Sequence, residues 1–295
     1  MNIYTNIKKI YSIGLKCFPI CRSITGEGNR ATLKLFKKKL KNLRIKEIKS
    51  GTKVFDWTIP PEWNVKDAHI IDKNNKKIVS FKNNNLHLIS YSKPIKTKLN
   101  KKKLLEKLHS LEKQPNAIPY MTSYYQKNWG FCISQNQKNQ ISKFYKPKDI
   151  FKITIDTNFK KNGSLTYGEF YIPGKSKKEI FISTYICHPS MANNELSGPL
   201  LAILIANYFS KRKNNLSIRI IFIPETIGSI AYLSKNLNRL KKNVIFGLNL
   251  SCVGDEREYS YLPTKYGKTL ADRAVIKNYK DLKINFKKYS FLDRG

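Results

Sequence analysis

Residues 179–186, with the sequence EIFISTYI, form a near-continuous apolar run that decides the fold class. Such a run indicates a strand buried on both faces, as in a sheet covered by helices. The chain then alternates, with a predicted helix over 200–209, a strand over 218–223, a helix over 227–237 and a strand over 244–250. Strands that alternate with helices at this spacing predict an α/β fold with a mainly parallel sheet.

Two helices are predicted before this region. Residues 3–13 carry isoleucines at three- and four-residue spacing, which places them on one helix face. A second predicted helix over 29–40 directs Leu33, Phe36 and Leu40 inward.

The middle of the chain changes to short β-like runs separated by Asn- and Lys-rich turns, such as residues 73–76 and 82–85. Asn tolerates the positive φ that tight hairpin turns require. We therefore predict a small β-rich domain at 53–147, inserted into an α/β domain that is built from 1–52 and 148–295.

The composition favours a folded cytoplasmic protein. The 295 residues are 41% hydrophobic, which is enough for a sizeable core. No apolar run approaches the roughly 20 residues of a membrane-spanning helix, and no signal peptide is recognisable at the N-terminus. The five cysteines form no CxxC pair, so they are predicted to be reduced, mostly buried thiols.

The formal net charge of +36 invites a nucleic-acid hypothesis. Lysine is nevertheless spread along the whole chain together with Asn and Ile, as an AT-rich coding sequence would supply. The lysine runs at 37–39 and 101–103 lack the arginines and aromatic residues of a typical binding patch. No specific nucleic-acid partner is therefore predicted, and a basic nucleic-acid-associated protein remains an alternative that rests on charge alone.

Polar side chains follow each of the three predicted strands from 179 onward. His188 comes after the first strand, with Glu195 seven residues beyond it; Glu225 follows the second strand and Asp255 the third. Ligands of open α/β sheets bind beyond the carboxyl ends of the strands. These residues are therefore candidate metal ligands, and a carboxylate among them is a candidate general base.

Each of these residues also has a structural interpretation. A lone histidine is more often structural than a metal ligand. Glu225 can stabilise the start of the following helix through the helix dipole. Asp255 and Glu256 can be loop residues that pair with Arg257.

The segments around these residues resemble a known family. Residues 188–198, 224–229 and 248–255 are similar to bacterial aminopeptidase-like proteins of the zinc exopeptidase superfamily. The resemblance is to a branch often linked with polysaccharide-biosynthesis loci, in which a small β domain is inserted near the N-terminus. It implies a three-layer αβα sandwich. Residues 18–26, 56–63 and 292–295 also resemble that branch.

The resemblance implies a cocatalytic zinc site that activates water to remove the N-terminal residue of a peptide. It implies that His188 is the first histidine ligand. Asn194 stands where the family has a bridging aspartate, and Glu195 lies beside it. A neutral amide replaces a bridging carboxylate poorly, because the oxygen ligands of zinc are normally anionic.

The remaining positions also depart from the family pattern. Glu225 takes the place of the general base and is followed by a threonine where the family has a second glutamate. Ser251 stands at the next aspartate position, with Asp255 four residues later. A single zinc ion is therefore more plausible than a pair. The resulting prediction assigns Glu225 as the catalytic residue and His188, Asn194, Glu195 and Asp255 as metal ligands.

The resemblance places the last histidine ligand in a segment beyond residues 293–295. The chain is therefore expected to be truncated or degenerate, unless a separate polypeptide supplies the rest. The predicted function is zinc-dependent, aminopeptidase-like hydrolysis of a peptide or a small aminoacyl substrate, and the alternative is a non-catalytic scaffold or binding module in polysaccharide biosynthesis. Self-association into a homo-oligomer is left open.

Overall fold

The computed structural model describes residues 3–124 and 126–293. The description leaves out residues 1–2, 125 and 294–295. They include the chain start considered for a signal peptide and part of the segment 292–295. The longest helix of the described ranges has 17 residues, and none there is both long and apolar enough to cross a membrane. The α-helices are α1 (Ile3–Cys17), α2 (Glu27–Lys37), α3 (Lys101–Leu105), α4 (Gln135–Phe144), α5 (Ser197–Phe209), α6 (Ile227–Asn243) and α7 (Leu270–Asp281).

Strands make up most of the regular structure in the first two thirds of the chain. They are β1 (Arg44–Lys49), β2 (Lys53–Val54), β3 (Trp57–Thr58), β4 (Glu62–Ile71), β5 (Lys77–Ser80), β6 (Ile95–Asn100), β7 (Leu108–His109), β8 (Phe131–Cys132), β9 (Ile150–Lys160), β10 (Ser164–Ile172), β11 (Ser176–Tyr185), β12 (Leu216–Ile223), β13 (Val244–Asn249), β14 (Tyr259–Tyr261) and β15 (Phe286–Lys288). Short 3₁₀-helices lie at Asn85–His87 and Phe291–Asp293, and a π-helix lies at Ala192–Leu196.

A sheet of the described residues, in the order β1-β10-β12-β11-β13, positions the candidate site. The β11–β12 and β11–β13 pairings are parallel, whereas β1–β10 and β10–β12 are antiparallel. The predicted α/β fold is thus confirmed, but the mainly parallel sheet is not. The antiparallel half arises because β10 returns from the inserted region beside β12, and β1 then pairs with its outer edge.

Helices cover both faces of this sheet. Along β12, Ile220 and Phe222 belong to a core cluster with side chains from α1, α2 and α5. The alternate residues Ile221 and Ile223 belong to a second cluster with side chains from α6. This alternation follows from the period of two in a strand. The layers are therefore helix, sheet and helix, in the order that the predicted sandwich requires.

The inserted region contains an antiparallel sheet of order β5-β4-β9-β6. The predicted turn at 73–76 joins β4 to β5, with Asn75 at a φ of 61°. Strand β9 belongs to this sheet, so the sheet extends beyond the predicted domain boundary at residue 147. Ile70 and Ile153 of this region lie in the same core cluster as the α6 face of the main sheet. The inserted region therefore packs directly on the α/β layers.

Candidate metal centre

The carboxyl ends of β11 and β12 bring His188 and Glu225 together. The Ile186 amide still donates to the Ile223 carbonyl at 3.1 Å, so the two strands stay paired up to the site. Just beyond this bond, His188 Nε2 lies 3.3 Å from Glu225 Oε2. His188 is largely buried, whereas the side chain of Glu225 is 47% exposed. The structure thus brings the predicted histidine and the predicted general base into contact.

Cys187, which the sequence marks only as a buried thiol, adds a sulfur atom to this pair. Its Sγ lies 3.9 Å from His188 Nε2 and accepts the backbone amide of Glu225 at 3.2 Å. One potential ligand atom from each of the three residues lies within 4.8 Å of the other two. Burial raises the pKa of the Cys187 thiol, and the hydrogen bond to His188 opposes this rise. Sulfur, nitrogen and oxygen ligands at such spacing are the donor types that zinc accepts.

Glu195 lies on the other side of the His188 ring. Its Oε2 is 2.8 Å from His188 Nδ1, and its Oε1 accepts a hydrogen bond from Arg22 Nε at 3.2 Å. The carboxylate and the guanidinium are both fully buried. Histidine ligands of metals usually bond their second ring nitrogen to a carboxylate in this way. Glu195 therefore leaves Nε2 facing Cys187 and Glu225.

The charge of the His188 ring follows from these neighbours. Burial alone would lower the pKa of His188, but the hydrogen bonds to Cys187, Glu195 and Glu225 raise it well above its ordinary value. The site therefore favours a positive charge at the ring, which is the environment expected of a cation site.

The other two predicted ligands point elsewhere. Asn194 is exposed, and its Nδ2 lies 3.9 Å from Cys252 Sγ. Asp255 is exposed, accepts a hydrogen bond from Asn193, and pairs with Arg257 at 2.9 Å. Its hydrogen bond to Arg257 lowers the pKa of Asp255. The alternative interpretation of Asp255 as a loop residue paired with Arg257 therefore describes its contacts.

Two tyrosine rings pack edge-on against His188. The ring of Tyr120, from the inserted region, has its centroid 4.8 Å from that of His188, and the ring of Tyr185, from the end of β11, has its centroid at 5.4 Å. Burial raises the pKa of both phenols to about 12. Both hydroxyls therefore remain protonated at neutral pH; that of Tyr120 shares a hydrogen bond with the Tyr124 hydroxyl, and that of Tyr185 shares one with the Ser251 hydroxyl.

Unusual backbone conformations mark the same edge of the sheet. Ser190, Thr226 and Cys252, which follow β11, β12 and β13, have φ angles of 47°, 56° and 52°. Residues other than glycine seldom adopt positive φ, and a β-branched threonine does so least easily. Strained backbone of this kind clusters at functional sites. The three strand ends therefore carry a feature of functional loops that is independent of side-chain chemistry.

Comparison with known proteins identifies the family. Residues 11–295 match the family described as a domain of unknown function, DUF4910. The chain belongs to the DUF4910 family. It is 46% identical over 269 residues to a Clostridium acetobutylicum protein named for polysaccharide biosynthesis and an aminopeptidase-like domain, a match that covers 91% of this chain. The chain spans about 60% of the length of that curated relative.

Solved structures show the fold of this DUF4910 chain. A Clostridium acetobutylicum protein provisionally assigned as a peptidase matches with a TM-score of 0.92 and 43% identity, over 98% of this chain and 67% of the other. A zinc aminopeptidase from Bacillus subtilis matches with a TM-score of 0.65 and 11% identity, over 96% of this chain and 78% of that protein. A peptidase M28 precursor from Shewanella amazonensis matches with a TM-score of 0.62 and 10% identity, over 98% of this chain and 83% of that protein. The expected aminopeptidase-like fold is confirmed.

Sequence reasoning missed four residues of the candidate site: Cys187, Arg22, Tyr120 and Tyr185. Cys187 could have been found, because it directly precedes His188 at the same strand end. Arg22 lies in a segment that carries the family resemblance, but nothing in the sequence links it to a residue 173 positions away. The contact of Tyr120 depends on how the inserted region packs on the sheet, and no local pattern reports that.

Proposed function

We propose that this DUF4910 chain is an aminopeptidase-like hydrolase whose site holds one zinc ion through Cys187, His188 and Glu225. The convergence of their sulfur, nitrogen and oxygen atoms within 4.8 Å carries the proposal. Catalytic zinc sites commonly use three protein ligands and keep a fourth position open. The bond between Glu195 and Nδ1 of His188 supports the same interpretation, since it orients Nε2 toward the other two donors.

These residues fit one ion better than two. Asn194 offers a neutral amide that points away from the cluster, and Asp255 is occupied by Arg257. Ser251 shares a hydrogen bond with the Tyr185 hydroxyl at 2.6 Å. Within the described ranges, the Cys187 cluster is the group of His, Cys and acidic side chains close enough to hold an ion. A mononuclear site is therefore proposed in place of the cocatalytic pair that the resemblance implies.

Zinc bound there would supply Lewis acidity toward a water molecule and a substrate carbonyl. The side chain of Glu225 is 47% exposed, so while one carboxylate oxygen holds the ion, the other can accept the proton of an attacking water and return it to the leaving amine. Tyr120 and Tyr185 keep their phenolic protons and can donate to the carbonyl oxygen as negative charge develops on it. The proposed substrates are peptides or small aminoacyl compounds.

Metal content and activity of the purified chain test this proposal. Wild-type protein is expected to retain about one zinc ion per chain, and His188→Ala, Cys187→Ser and Glu225→Gln are expected to bind it at least about tenfold more weakly. Cobalt substitution should give a sulfur-to-metal charge-transfer band that disappears in Cys187→Ser. Cys252→Ser is the matched control, because this exposed thiol lies outside the ligand cluster. Zinc content that is unaffected by all three ligand variants would refute the assignment.

A second candidate is ligand binding without turnover, as a scaffold or binding module. The neutral Asn194 and Ser251 at positions where the resembled family has carboxylates favour it. The two functions separate in one assay with aminoacyl chromogenic substrates. Release of the chromophore, lost with a chelator and in Glu225→Gln, supports hydrolysis, whereas zinc-dependent substrate binding without release supports the module.

A further inference from the structure

Arg22 is buried beneath the candidate metal centre. It has no exposed surface and belongs to the loop between α1 and α2. Its Nε donates to Glu195 Oε1 at 3.2 Å, and its Nη1 donates to the Cys17 carbonyl. Its Nη2 has no hydrogen-bond partner among the described residues. Burying a guanidinium with an unsatisfied nitrogen is costly, and a buried ion pair is weak support for stability by itself.

Glu195 divides its two oxygens between Arg22 and His188. Oε1 accepts from the guanidinium, and Oε2 lies 2.8 Å from His188 Nδ1. The two carboxylate oxygens are rigidly linked, so fixing Oε1 also fixes the direction in which Oε2 accepts. Arg22 is therefore linked to the His188 ring through one intermediate side chain.

The backbone around Arg22 is itself held firmly. The Arg22 amide donates to the Ile20 carbonyl at 3.0 Å, and Asn29 Nδ2 donates to the Ser23 carbonyl at 2.6 Å. Gly28, at the start of α2, packs so closely that an added Cβ would lie 1.9 Å from the Cys21 carbonyl oxygen. The arginine is thus presented from a fixed loop, which suits a residue that must hold another in place.

We propose that Arg22 is a positioning residue for the metal centre: by clamping Glu195 it keeps Nδ1 of His188 engaged and directs Nε2 toward Cys187 and Glu225. This inference rests on the proposed function for its metal, but the orientation of the ring does not depend on zinc. Arg22 acts through Glu195: among the described residues its hydrogen bonds go to Glu195 and to the Cys17 carbonyl, and not to Cys187, His188 or Glu225.

Two readouts on Arg22→Met and Arg22→Lys test the proposal. The first is zinc affinity, measured by competition with a chromogenic chelator. The second is the NMR resonance of the His188 Nδ1–H group, identified by its loss in His188→Ala. Arg22→Met is expected to weaken zinc binding about 10- to 100-fold and to speed exchange of the Nδ1–H proton with water. Arg22→Lys should restore part of both, because it keeps a charge that can reach Glu195.

Arg219→Met is the matched control. Arg219 is also buried and bonded to carboxylates, but its partners Glu169 and Glu179 lie on the sheet strands and outside the metal cluster. Its loss should lower stability without changing the zinc affinity of the folded fraction. If Arg22→Met fails to fold, Glu195→Gln replaces it: with Arg22 present, it should weaken zinc binding and expose the Nδ1–H proton.

The outcomes distinguish this proposal from the proposed function. Folded Arg22→Met with unchanged zinc affinity and an unchanged Nδ1–H resonance would overturn the positioning role. A Glu195→Gln variant in which both readouts match wild type would overturn it as well. If wild-type protein binds no zinc, the proposed function fails, and the NMR comparison of Arg22→Met with wild type still decides whether Arg22 orients His188.

Discussion

Replacing Arg219 by methionine is expected to destabilise the protein by about 3–5 kcal/mol. Arg219 lies on β12, the central strand of the main sheet, and its guanidinium bonds Glu179 on β11 at 2.9 Å and Glu169 on β10 at 3.0 Å. All three side chains are at most 8% exposed. Burial would lower the pKa of Arg219, but its bonds to the two carboxylates raise it, so the arginine stays charged.

The magnitude depends mainly on Glu179. Glu169 also accepts a hydrogen bond from Tyr232 at 3.0 Å and has Lys46 at 3.3 Å, so it keeps partners when Arg219 is removed. Glu179 is 1% exposed, and among the described residues Arg219 supplies its ion pair. Removing one member of a buried pair leaves an uncompensated charge, which costs more than the pair itself contributes. Against a total stability of about 5–15 kcal/mol, this loss is large.

Equilibrium urea unfolding, followed by tryptophan fluorescence and circular dichroism, measures the effect. The midpoint should fall at unchanged slope. Arg219→Met combined with Glu179→Leu should recover much of the loss, because it removes both charges. Arg257→Met, which breaks the exposed pair with Asp255, should leave the midpoint unchanged. A loss below about 1 kcal/mol for Arg219→Met, or a double variant no more stable than the single one, would refute the reasoning.

Two further predictions concern stability away from the metal centre. Burial alone would raise the pKa of Glu62, but its hydrogen bonds, led by that from Arg30, lower it. The contribution of Glu62 to stability is therefore complete above its unfolded-state pKa of about 4.3 and is lost as the pH falls through its lower folded-state pKa. The urea midpoint of wild type should drop more steeply between about pH 5 and about pH 3 than that of Glu62→Gln. Parallel pH profiles of the two proteins would contradict this. Gly28→Ala should lower the melting temperature sharply, because the added Cβ would lie 1.9 Å from the Cys21 carbonyl oxygen. Gly247→Ala is the control and should not lower it, because the nearest atom to the added Cβ is 3.4 Å away. Equal melting temperatures of the two variants would contradict the packing argument.

The layered part of the fold was predictable because its signals are local. The apolar run at 179–186 lies within β11 except for its last residue, although β11 begins earlier, at Ser176, and the predicted strand over 244–250 differs from β13 by one residue at its end. Leu33 and Phe36, predicted to face inward, are fully buried. Periodicity reports which face of an element is buried, but not which partner covers it. The antiparallel pairings of β1 and β10 therefore had no local signal, since they depend on where the inserted region returns the chain.

The candidate site was likewise predictable in part: its position in the fold has a local signal, but the partners of its side chains do not. The rule that ligands bind beyond the carboxyl ends of strands placed His188 and Glu225 together correctly, because strand order and polarity determine where the ends meet. The same rule does not say which of Asn194 and Glu195 points into the core, because consecutive residues on a helical turn point about 100° apart. The turn here is a π-helix, which holds an extra residue, so a small local change in winding decides which side chain enters the core.

That winding has a tertiary cause. Glu195 can enter the core only if a positive partner is already buried there, because an isolated buried carboxylate is strongly unfavourable. Arg22, 173 residues earlier in the chain, is one such partner, and the His188 ring is the other. The orientation of Glu195 thus involves an ion pair between distant segments as well as the residues around His188. A sequence pattern can locate such a site, but its ligand set follows only once the two segments are seen together.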